Sequence, residues 1–91
     1  MKLVLNEHLE LMFIGAIRYA IGKSSYMPSS VMEYMRPLLP KLTDKTLYVI
    51  KEDIPKEIER REKINKQEIT FKKEWMEFWE EVCAEWRSRK Q

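Results

Sequence analysis

"FKKEWMEFWEEVCAEWRSRK", residues 71–90, decides the fold class. Phe71, Trp75, Phe78, Trp79, Val82 and Trp86 recur at i, i+4, i+7, i+8, i+11 and i+15. That spacing is one face of an α-helix and not the two-residue alternation of a strand. Thr70 is the expected N-cap, and Arg87, Arg89 and Lys90 close the helix at the negative end of its macrodipole. Such an aromatic face is first of all core. Three tryptophans in one short helix exceed what a core of this size needs, so part of the face is also a candidate partner surface, where Trp is favoured.

The rest of the chain also reads as helices. Asn6 is the expected cap of a first helix with Glu7 and Glu10 in its opening turn, at the positive end of the macrodipole. "LELMFIGAIRYAI" (9–21) is apolar nearly all round, which predicts a central helix contacted on several sides. Gly15 costs about 1 kcal/mol against Ala in a helix interior, and a close helix crossing at Gly15, Ala16 and Ala20 would offset it. Gly22 stands where a left-handed stop is wanted, followed by Lys23.

Ser30-Val31-Met32-Glu33 has capping-box spacing and predicts a second helix, with Val31, Tyr34 and Met35 on one side. Pro37 and Pro40 keep it short. Thr43 is the expected cap of "DKTLYVIKEDI" (44–54), with Leu47, Ile50 and Ile54 on one face. Pro55 either kinks that helix or opens a new one capped by Asp53. "PKEIERREKINKQE" (55–68) is polar and predicts an exposed helix fraying near Asn65. The expected fold is all-α: a compact bundle of four to five helices in one domain, residues 1–91, with the first helix central and the Trp75–Trp86 helix packed on it.

Composition agrees. Ninety-one residues make one domain that buries roughly 60–65% of its unfolded surface. Two glycines and four prolines are too few for a turn-rich β architecture. Residues 1–45 carry six Lys or Arg against four acids, and residues 46–91 carry eleven of each. The cations are interleaved with acids, so no concentrated basic face for nucleic acid is visible. No apolar run reaches the roughly 20 residues of a membrane span. The N-terminus lacks signal-peptide features, and the lone Cys83 allows no internal disulfide. A soluble cytoplasmic protein is the expectation.

The usual catalytic constellations fail one by one. His8 is the single histidine and is expected at the surface or partly buried. Ser24, Ser25, Ser29 and Ser30 lack a base. Glu80 and Glu81 point away from the aromatic face, and Cys83 reads as a small hydrophobe. "GKSS" (22–25) lacks a preceding strand, and Ile17 stands where a phosphate loop needs glycine. No enzyme activity, cofactor, metal site or small-molecule substrate is therefore expected.

Binding is the remaining chemistry. Arg18, Tyr19, Lys23, Tyr26, Tyr34 and Arg36 cluster in "AIRYAIGKSSYMPSSVMEYMR" (16–36), and Tyr and Arg are enriched at hot spots. Arg18 lies in the most apolar helix, which favours a structural reading: a packed stem and a guanidinium paired with Glu33 or Asp53. On that reading Arg18→Ala costs about 3–5 kcal/mol. Tyr26, in the turn beyond Gly22, is expected to face outward as a contact residue.

Arg18, Tyr19, Ala20, Gly22, Lys23, Ser25 and Tyr26, followed by Lys45, Thr46, Leu47, Asp53, Ile54 and a tryptophan-bearing last helix, resemble a group of small uncharacterised proteins of Gram-positive bacteria and their phages. Pro37, Pro40 and Pro55 depart from that pattern. The resemblance implies a phage or mobile-element setting and no particular activity. Two functions follow as expectations. One is a protein-interaction module, binding a protein partner or itself and inhibiting a host machine such as a nuclease-based defence system. The other, ranked second, is a helix-turn-helix DNA binder using Ser30–Arg36 as a short recognition helix.

Overall fold

A computed structural model describes residues 7–90. All regular structure among them is helical: α1 (Glu7–Ala20), α2 (Met27–Met35), a 3₁₀ turn (Arg36–Lys41), α3 (Asp44–Asn65) and α4 (Lys72–Arg89). The expected cap Asn6 lies outside the described residues.

Helix ends follow local chemistry, with two corrections. α1 stops as expected: Gly22 has φ +90°, and the Lys23 N–H donates to the Ala20 carbonyl at 3.0 Å. A Cβ at Gly22 would also lie 3.0 Å from Arg61 Cδ. Gly22→Ala should therefore cost about 1 kcal/mol in urea denaturation, since alanine resists a left-handed backbone. α2 starts before the Ser30 capping box. Pro28 occupies its first turn, where a fixed φ is favourable, and the Ser25 hydroxyl accepts the Met27 N–H at 3.3 Å. Ser30 is inside the helix, its N–H donating to the Tyr26 carbonyl at 3.0 Å.

Pro37 and Pro40 tighten the chain into the 3₁₀ turn that follows. Thr43 caps α3 as expected, its hydroxyl accepting the Thr46 N–H at 3.3 Å. At Pro55 the structure decides between the two readings: α3 runs on as one helix of 22 residues and no new helix opens. Proline has no N–H for the Lys51 carbonyl four residues earlier. The Trp79 indole N–H supplies one from α4, at 2.8 Å.

The second correction concerns α4, which begins after Phe71 (φ 63°) and not at a Thr70 cap. Glu62 of α3 accepts the Ile69 N–H at 3.1 Å and pairs with Lys72 at 3.0 Å. Those two bonds fix the connection and set the helix start at Lys72.

The principal packings are α3 against α4, α1 against α3, and α1 against α2. α3 is thus the element shared by the two largest packings, and α1 links it to α2. The molecule is a slab of 41 × 31 × 19 Å. Nineteen ångströms is about two helix layers, which leaves every helix an outer face. Ile17, Ile21, Leu47, Ile50, Ile54, Trp75, Phe78 and Val82 are buried in the shared core. Phe71, Trp79 and Trp86 pack against its edge.

Two polar ties join distant segments. The buried Glu10 carboxylate of α1 accepts the Thr43 N–H at 2.7 Å and the Thr43 hydroxyl at 3.3 Å, placing an anion at the N-terminus of α3. Arg89 of α4 donates to the Leu39 and Pro40 carbonyls at 3.0 and 3.2 Å, and pairs with Asp44 and Glu85 at 2.9 Å each. Arg89 is therefore a structural clamp as well as a favourable helix-end charge.

Candidate interaction face

α1 has two apolar sides, and the fold uses one. Ile14, Ile17 and Ala20 turn inward with Glu10, while Leu11 and Met12 are 60% and 66% exposed and Tyr19 is open beside them. A side that is apolar and unburied in this chain carries the candidate site. Two grooves flank it. The one between α1 and α2, about 440 Å³, is lined by Leu9, Met12, Phe13, Val31 and Tyr34. The one between α1 and α3, about 570 Å³, is lined by Glu7, Leu11, Arg18, Thr46 and Val49.

The sequence-predicted residues divide. Tyr19 and Lys23 come together at the end of α1, with the Lys23 ammonium 4.4 Å from the Tyr19 ring centroid, a cation–π distance. Tyr34 is exposed on α2 and meets the Phe13 ring edge-on at 6.2 Å. Tyr26 is 90% exposed just before α2. Arg36 is not with them: it pairs with Glu81 of α4 at 2.7 Å and lies 5.9 Å from the Phe78 ring centroid. It ties the 3₁₀ turn to α4. Glu81, expected to be solvated, is exposed but engaged in that pair.

Arg18 pairs with Asp53, one of its two expected partners, at 2.6 Å. The setting differs from the expected burial, because the Arg18 side chain is 53% exposed. A solvent-screened pair contributes less than about 1 kcal/mol. Arg18→Ala should therefore melt within a few degrees of the parent, in place of the 3–5 kcal/mol loss a buried pair would give.

Some of the charge elsewhere is paired within the chain. Glu57 receives both Arg60 and Arg61, at 2.6 and 3.0 Å, and bonding to Arg60 first of all holds its carboxyl below the usual range. Burial pushes the Cys83 thiol up from its ordinary value, which disfavours the reactive thiolate. Among the described residues no cluster of His, Cys, Asp and Glu could hold a metal ion, and no helix is long and apolar enough to cross a membrane.

Sequence reasoning missed Leu11 and Met12 as surface residues. Their signal was present in a helix apolar on more than one side, which was assigned to the interior. No family model, curated protein or solved structure matches the chain. The site is therefore read from its own residues.

Proposed function

We propose that this chain is a small non-enzymatic protein-interaction module. The supporting observation is the outer side of α1, where Leu11, Met12 and Tyr19 are exposed, together with the exposed Tyr34 across the groove and Tyr26 at the start of α2. Burying about 25 cal/mol per Å² of such surface against a partner is the available driving force. Aromatic and methionine-rich contacts of this kind are enriched at interfaces. The tryptophan helix α4 serves as scaffold, and α1 with the start of α2 serves as contact surface. The resemblance carried by Arg18–Tyr26 favours a phage or mobile-element setting, in which the partner is a host protein, such as a nuclease of a defence system, that the module inhibits.

The DNA-binding alternative has less support. Arg36, the one cation of the supposed recognition segment, is held by Glu81. The cations of the chain are interleaved with acids and form no concentrated basic face, which phosphate contact requires.

Affinity capture from host lysate, comparing the parent with Tyr26→Ala and Met12→Ser, tests the proposal. Both substitutions are at exposed positions and should leave the melting temperature within about 2 °C, since surface changes rarely exceed 0.5 kcal/mol. The expected result is one defined partner, retained by the parent and reduced at least tenfold by one or both variants. A parent that captures no protein and forms no oligomer would defeat this reading.

A further inference from the structure

We draw no further inference here: the strongest candidate, the apolar groove between α1 and α2 lined by Met12, Phe13, Val31 and Tyr34, belongs to the face already described, and nothing in the structure shows what covers it.

Discussion

Phe78→Ala should leave the chain largely unfolded near physiological temperature. Phe78 has no exposed surface, meets the Trp75 ring edge-on at 6.1 Å and lies under the Arg36 guanidinium. Truncating a buried phenylalanine costs about 3–5 kcal/mol, because the transfer free energy is lost and a cavity remains. Small domains have about 5–15 kcal/mol in total, and this one stands at the small end. Trp86→Ala makes the useful contrast. That ring is only partly buried, tilted against Tyr48 at 5.3 Å and covered by Lys90 at 4.3 Å. It should cost less than half as much. Urea denaturation of the two variants gives the comparison, and parent-like stability in Phe78→Ala would remove α4 from the core.

That contrast also shows what periodicity can and cannot report. Trp75, Phe78 and Val82 were legible as one buried face because both their spacing and their burial follow from 3.6 residues per turn. The same rule placed Leu47, Ile50 and Ile54. For α1 it failed to separate inside from outside, since Ile14 and Met12 are equally apolar and only the packing partner distinguishes them. The caps at Ser30 and Thr70 were misread because better local partners existed: Ser25 with Pro28 at one start, Glu62 at the other. Glu10, Arg89 and Trp79 act on residues 28 to 50 positions away, as in Glu10 to Thr43, Arg89 to Leu39 and Trp79 to Lys51. Nothing local in the chain announces such pairings. Among the site residues, exposure of Tyr26 followed from its turn, whereas the removal of Arg36 to the α4 side depended on Glu81, 45 positions later.

The second large effect joins Pro55 to Trp79. A proline inside a helix leaves the carbonyl four residues earlier without its donor, and here Trp79 Nε1 takes that place on Lys51. Trp79→Phe keeps most of the ring's packing and deletes the donor, so the partly buried Lys51 carbonyl loses its partner. The expected cost is about 2 kcal/mol, within the range for a stranded buried acceptor. Pro55→Ala restores a backbone N–H to the same carbonyl and should be neutral or stabilising, provided the helix closes there. Combined with Pro55→Ala, Trp79→Phe should then cost at least about 1 kcal/mol less than it does alone, a coupling that a double-mutant cycle reads directly. Equal costs in both backgrounds would mean that the indole contributes through packing alone. In that case the passage of α3 through Pro55 would need a different explanation from the hydrogen bond that spans α3 and α4.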